Sequence, residues 1–585
     1  MRLNVVRSAH AASLYVVKSA WVNGKRTTKV VEKLGTEADL RKKLDGRDPY
    51  EWAKEYIDEL NRKSDAEKVK ITISYSPSEQ IKKDERRSYN AGYLFLQKTY
   101  YDLGLNKICT AIKRKHAFKY DLNSILSRLI FTRIIYPGSK KSAFEDSGRF
   151  IERPNFELHQ VYRALSVLSE ETDYIQSQIY KNSLQLSKRN TGVIYYDCTN
   201  FYFEIEQSDE GDGLRQYGVS KENRPNPIVQ MGLFMDGDGI PLAFCINPGN
   251  TNEQITLTPL EKKLLADFSL SGFVVCTDAG LSSHDNRRFN DRCGRAFITV
   301  QSVKTLKEFQ KNWCLERNGW KKYGDRSGRT YSIDDLDEEK DYETVLYRER
   351  WFNENDLEQR MIVTYSLKYR DYLKALRERH VERAKRKVNH PSELKRKRGT
   401  DAKRFIKENR CTDDGEIAEN TVFSIDEDRI AEESGYDGFY AVCTNLEDDA
   451  RQIVKINQSR WEIEECFRII KHEFRARPTY LSRSERIKAH FMTCFIALIV
   501  YRYLEKQVGE DYTAEKIIQT LRDMNMVKQD GYGYIPAFDR TDLTDRLQEV
   551  TDICTSTEIV TMANMRSACK LSKTPAAGQK AEEDT

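Results

Sequence analysis

The stretch VIYYDCTNFYFEI, residues 193–205, decides the fold. Its apolar side chains fall on both alternating faces, which predicts a central strand covered on both sides. Asp197 stands in the middle of that strand. A lone ionised carboxylate in a buried strand is costly unless something compensates it, and a metal ion is one of few adequate partners. Outward from this strand, PIVQMGLF (227–234) and IPLAFCI (240–246) flank MDGDG (235–239) and predict a hairpin. GFVVCTDAG (272–280) reads as a short buried strand stopped by Ala279 and Gly280, and AFITVQS (296–302) as another after a polar helix. Three strands in a meander followed by strand and helix alternation predict an α/β core with a mixed sheet. Asp278 ends the strand GFVVCTD. An Asp beside a Gly at a strand end is commonly a turn residue, but two core-strand carboxylates together suggest a site more than either alone.

A third acidic residue comes from a helical stretch. In INQSRWEIEECFRIIKHEF (456–474), within a helix predicted over 448–475, Asn457, Arg460, Glu464 and Lys471 fall within about 60° of one another, while Ile456, Ile463, Phe467, Ile470 and Phe474 form a stripe roughly 80° away. One face packs and the adjoining face carries a carboxylate between cations. An ordinary i,i+4 Arg–Glu pair accounts for Arg460 and Glu464 equally well. Beside Asp197 and Asp278, Glu464 becomes a candidate third ligand, and three carboxylates without His or Cys suit Mg²⁺ or Mn²⁺.

The remaining sequence narrows the classes of protein. The longest apolar run, 491–501, is well short of the ~20 residues that span a bilayer and predicts a buried helix, with no membrane partner. The N-terminal residues contain no secretory pattern, so a cytoplasmic location is expected. Twelve cysteines and eight histidines show neither CxxC pairs nor zinc-ligand spacing. No GxxxxGK[ST] loop appears. The net charge is only +5, yet residues 377–398 hold ten Lys or Arg against three Glu. Within that run Lys395, Arg396, Lys397 and Arg398 are candidate phosphate contacts, although a charge run is commonly a solvated face. Lys221 and Arg224 in YGVSKENR (217–224) could form a phosphate-contacting loop, or simply a solvated turn. Trp461 could stack on a base or merely pack. Residues 14–35 alternate apolar and polar positions around Asn23 and Gly24 and predict a hairpin, and 90–188 are helical in pattern.

The ordered conjunction of YYDCTN, YGVSKENRPNPIVQMGLFMDGDGIPLAF, GNTNE, CTDAG, YDGFYAVCTN and RWEIEECFRIIK resembles the DDE transposases of bacterial insertion sequences. More narrowly, it is similar to the IS-four-like branch with its Y-x2-R-x3-E-x6-K signature. Arg460, Glu464 and Lys471 fall on the R, E and K positions, whereas Asn457 stands where the family has Tyr, a residue that helps hold DNA near the scissile end. The resemblance implies a ribonuclease-H-like mixed-sheet core interrupted by an insertion with β content. It also implies cleavage at the element ends and strand transfer into target DNA, using two Mg²⁺ (or Mn²⁺) ions. Asp197 would bridge the ions, with Asp278 and Glu464 each holding one. Double-stranded DNA and a second copy of the chain in a synaptic dimer are the implied partners. A metal-dependent nuclease without strand transfer, or a catalytically silent DNA-binding descendant, are the alternatives. The expected organisation is an N-terminal β-hairpin and helical region (1–88), a helical DNA-binding or dimerisation region (89–188), the core in two parts (189–304 and 437–510) around a charged insertion domain (305–436), and a C-terminal region and tail (511–585).

Overall fold

The computed structural model describes residues 1–7, 11–22, 25–44, 47–68, 71–222, 224–325, 327–388, 401–411 and 417–576. Asn23, Gly24, Lys395, Arg396, Lys397 and Arg398 lie outside the described residues. The chain divides into two compact units, Met1–Glu85 and Arg86–Thr585.

In the first unit, strands β1 (Arg2–Arg7), β2 (Ala12–Val22) and β3 (Lys25–Thr36) form an antiparallel sheet in the order β1-β2-β3. Val22 pairs with Lys25, the register that the predicted two-residue turn requires. Leu14, Leu40 and Ala53 form its core, the last two from helices Glu37–Lys43 and Pro49–Lys68.

The second unit is mixed α/β. Its strands in chain order are β4 (Ser88–Asn90), β5 (Val193–Tyr202), β6 (Ile228–Asp236), β7 (Pro241–Pro248), β8 (Val274–Thr277), β9 (Ala296–Gln301), β10 (Lys321–Lys322), β11 (Leu346–Glu354), β12 (Leu357–Tyr365), β13 (Ile406–Cys411), β14 (Ile417–Ile425), β15 (Phe439–Thr444), β16 (Asn525–Gln529), β17 (Gly533–Pro536) and β18 (Val560–Thr561). Nine of them make one sheet in the order β10-β11-β12-β15-β9-β8-β5-β6-β7. β5, β6 and β7 are an antiparallel meander, and β8 and β9 run parallel to β5. Within the charged stretch 305–436, β10, β11 and β12 extend the core sheet through β15, while β13 and β14 pair with each other.

β5 is covered on both faces, as its two-sided apolar pattern requires. Tyr195 and Phe201 join the main core, while Tyr196 and Cys198 join a second cluster with Phe234 and Leu260. The apolar run 491–501 lies in helix Ser484–Val508, which is long and apolar enough to cross a membrane but whose most apolar window is 94% buried inside the protein. Its Phe491 and Phe495 rings pack on Phe201 of β5 and Phe244 of β7, each at 4.8 Å.

The turn between β6 and β7 is organised by Asp236. Its carboxylate accepts N–H bonds from Asp238 (3.1 Å) and Ile240 (2.9 Å) and pairs with buried Arg189. Gly239 has φ +76° and admits no side chain, because a Cβ there would strike Glu462 and Arg502. Arg502 Nε donates to the Gly239 carbonyl (2.9 Å) and its Nη2 to Glu462 Oε2 (2.8 Å). The hairpin is thereby clamped to helices Trp461–Arg468 and Ser484–Val508.

A smaller sheet, β18-β17-β16-β4, joins the two ends of this unit. β4 pairs with β16, and the Asn90 side chain donates to the Leu521 carbonyl (2.8 Å), 431 residues along the chain. Gln97 Nε2 likewise donates to Ser572 Oγ (2.9 Å).

Candidate active site

β5 and β8 are parallel neighbours with Val193 opposite Val274 and Tyr195 opposite Cys276. Continued by two residues, that register sets Asp197 level with Asp278. Alternation places Asp197 on the face of Tyr195 and Phe201, and Asp278 on the face of Cys276. These three neighbours belong to the core cluster that contains Ile463 and Phe467 of the acidic helix. Both aspartates are partly buried. Asp197 Oδ1 accepts the Cys198 N–H (2.7 Å), and Asp278 caps the short turn that follows it by accepting from Leu281 N (3.1 Å). Burial and the charge of Asp278 push the Asp197 carboxyl up to about 6, against the opposing pull of Lys221 and Arg460. The Asp197 carboxyl held this way ionises more readily with a cation beside it.

The helical element above them differs from the expected single helix over 448–475. Helix Ala450–Gln458 ends at Ser459, a new helix runs Trp461–Arg468, and the last turn widens to π geometry over Ile469–Glu473, closed by Phe474 N to the Ile469 carbonyl at 2.9 Å. Single π turns inside helices recur at functional sites. Ile463, Phe467 and Ile470 are buried, each stabilising the seat of this element by roughly 1.5–3 kcal/mol.

The break removes Asn457 from the shared face. Asn457 is 1% exposed, accepts from the Tyr440 hydroxyl and donates to Cys276 Sγ (3.3 Å). The expected DNA contact from Asn457 finds no exposed side chain to make it, since the amide lies beneath the surface with its oxygen and one N–H engaged. Arg460 bridges the gap: it acts electrostatically on Asp197, and its Nη2 lies 3.5 Å from Glu464 Oε1. Its Nη1 is buried without a hydrogen-bond partner. Glu464 itself is exposed and turned toward Arg460. Among the described residues, no group of three His, Cys, Asp or Glu side chains stands grouped to hold a metal ion. Asp197 and Asp278 act on each other electrostatically while Glu464 faces Arg460, so the expected convergence of all three carboxylates is not present among the described residues.

Two further basic residues, Lys221 and Lys471, act electrostatically on Asp197. Lys221 Nζ donates to the Cys198 carbonyl (2.6 Å) and pairs with Glu253 (3.1 Å). Lys471 lies over the Phe201 ring at 5.6 Å and 3.7 Å from Glu222. Burial and Lys221 pull its ammonium down to about 8. Arg224 stacks over Tyr202 at 4.7 Å, and Trp461 is exposed. Glu222 and Glu253 were not singled out from the sequence; the only signal was their place in YGVSKENR and GNTNE.

A family model described as the transposase DDE domain matches residues 206–500. That is half of the chain, and the chain belongs to this family of DDE transposases. Asp278 and Glu464 lie inside the matched residues, and Asp197 lies shortly before them. Among solved structures the chain is similar to one described as the piggyBac transposase synaptic complex with hairpin DNA, at 8% identity and a TM-score of 0.34, covering 86% of this chain and 90% of that one. No curated protein sequence matches the chain.

Proposed function

We propose that this protein is the transposase of an insertion sequence, of the IS-four-like branch, cutting DNA at the element ends and joining them to target DNA. The observation that carries the reading is the pair Asp197 and Asp278, in register on parallel strands under the helix that bears Arg460 and Glu464. The strand order β7-β6-β5-β8-β9, an antiparallel meander followed by parallel strands, supports a ribonuclease-H-like core.

The residues present fit a hard divalent ion, since the pair offers only oxygen donors and its raised Asp197 carboxyl favours a cation nearby. Asp197 and Asp278 would hold Mg²⁺ or Mn²⁺, with Glu464 as the third ligand once its exposed side chain turns from Arg460. Two such ions, when bound, supply activation of the attacking oxygen and stabilisation of the leaving one. The chain's own groups do the positioning. Arg460 Nη1, unpartnered in the structure, donates to a phosphate oxygen of the scissile strand. Lys471 and Lys221 place positive charge beside Asp197, attracting the phosphodiester and orienting it. Trp461 is exposed beside them for stacking on an unpaired base. Residues 89–188 serve end binding or dimerisation, a homodimer synapses two ends, and the protein works in the cytoplasm of a bacterium or archaeon, where its DNA lies.

The test uses labelled duplexes carrying the inverted repeats that flank the coding region, with Mg²⁺. Wild type should cleave at the ends and join a pre-cut end to a target plasmid, while Asp278→Asn and Glu464→Gln should bind the ends and do neither. Cleavage without joining would identify a nuclease; binding without cleavage by wild type would identify a silent descendant.

A further inference from the structure

Beyond the aspartate pair, the most unusual electrostatics lie in a cavity of about 370 Å³ between the loop at Pro137–Lys140 and the segment that follows the π turn. Four cationic residues line it, Arg133, Lys140, Arg475 and Arg477, together with His490 and Tyr162, and no carboxylate is among its lining residues. Lys140 is 5% exposed, and its Nζ has no hydrogen-bond partner. Arg133 gives Nη1 to the Phe474 carbonyl (3.0 Å) and Nη2 to the Gly138 carbonyl (2.9 Å), which leaves its buried Nε without a partner. His490 Nε2 donates to the Ala476 carbonyl (3.3 Å). Burial, Lys140 and Arg133 hold that imidazole well below its ordinary range, so it stays neutral and adds no positive charge.

A buried ammonium beside a buried guanidinium, both with unmet donors, is an unfavourable arrangement for an empty pocket. Buried polar groups left unmatched in a native fold call for a missing ion or water. Desolvation and Arg133 pull Lys140 down to about 7, and an anion in the cavity would restore its charge. The cavity also adjoins the catalytic side. Arg477 pairs with Glu222, which pairs with Lys471, and Lys471 acts on Asp197. We infer that this cavity is a phosphate-binding pocket, in which Lys140 Nζ and Arg133 Nε hold one phosphate group, with Arg475 and Arg477 at its mouth.

A phosphodiester of the bound DNA and free inorganic phosphate share that chemistry. Only the choice of DNA as source rests on the proposed transposase reading. Full-length wild type, Lys140→Met, Lys140→Arg and Arg475→Gln are compared in two assays. The first is calorimetric titration with inorganic phosphate, and the second is binding of a fluorescent 30-bp duplex across a salt series. Loss of a phosphate contact should weaken duplex binding about tenfold at moderate salt and lower the salt slope by roughly one. Lys140→Arg should retain most of the affinity. That outcome assigns the pocket to the DNA backbone. Phosphate binding by wild type that Lys140→Met abolishes, with duplex binding unchanged, assigns it to free phosphate. The inference is overturned if folded Lys140→Met matches wild type in both assays. Should Lys140→Met not fold, Arg475→Gln at the exposed mouth decides by the same criteria. None of these readouts involves cleavage, so a failure of the catalytic reading leaves the result interpretable.

Discussion

Asp197→Asn should stabilise the metal-free protein, and the gain should grow with pH. The ordinary aspartate value is about 3.9, whereas burial and Asp278 raise Asp197 to about 6. A carboxyl raised on folding stabilises the fold at low pH, where it is protonated in both states or in the folded state alone. That stability is lost as pH rises through the folded value. With these two values, the raised Asp197 carboxyl costs the fold about 1 kcal/mol at pH 4.5, where only the unfolded state ionises, and about 3 kcal/mol at pH 8. The advantage of the Asn variant over wild type should therefore rise by about 2 kcal/mol between those pH values, whatever constant offset the amide introduces. Urea unfolding followed by tryptophan fluorescence, in EDTA, measures it. Adding Mg²⁺ at pH 8 should raise the wild-type midpoint and leave the variant's nearly unmoved, because ion binding to the folded state alone stabilises it. An advantage that is flat across pH, or that shrinks as pH rises, would refute the electrostatic account of the aspartate pair.

Three other outcomes follow from particular contacts. Asn457→Tyr should lower stability by roughly 1–3 kcal/mol through overpacking, since Asn457 is buried against Tyr440 and Cys276; a thermal midpoint at or above wild type would show that the site has room. Lys471 sits near 8 because of burial and Lys221, so it discharges above that pH and wild-type duplex affinity should fall between pH 7 and 9, while Lys471→Arg should flatten that profile in a fluorescence titration. Arg189→Met, which leaves the buried Asp236 unpaired, should cost about 3–5 kcal/mol, read as a drop in the urea midpoint.

The meander was readable because Asp and Gly cluster at 235–239 between apolar runs, and both aspartates were readable because a charge in or at the end of such strands is conspicuous. The break at Ser459–Arg460 was not. Neither Pro nor Gly marks it, and its cause is tertiary: the Tyr195 hydroxyl donates to the Ile456 carbonyl (3.0 Å), and Asn457 is tied to Tyr440 and Cys276. Angular arithmetic on an unbroken helix therefore placed Asn457 beside Glu464, when the fold buries one and exposes the other. The membership of β11 and β12 in the core sheet was equally hidden. YRERWFNENDLEQRM carries charge at so many positions that local pattern reports a solvated segment, while the pairing of β12 with β15 is fixed across an intervening segment that holds helices and the β13–β14 pair. The phosphate pocket drew no notice either, because Arg133 and Lys140 sit in an otherwise ordinary helical stretch and meet His490 only in three dimensions.

The stitching of β4 to β16, and of Gln97 to Ser572, has a bearing on how the chain is made. At ~5–20 residues per second, a ribosome needs roughly 20–90 s to travel from Asn90 to Leu521. Throughout that interval Asn90 lacks the carbonyl it will hold, and the helix 484–508 that roofs Phe201 and Phe244 emerges only near the end. The nascent chain therefore carries finished strands with an unroofed apolar face, a target for chaperones. A message broken before codon 484 should yield an insoluble fragment cleared by proteolysis, so truncated copies of the gene would interfere little with intact ones.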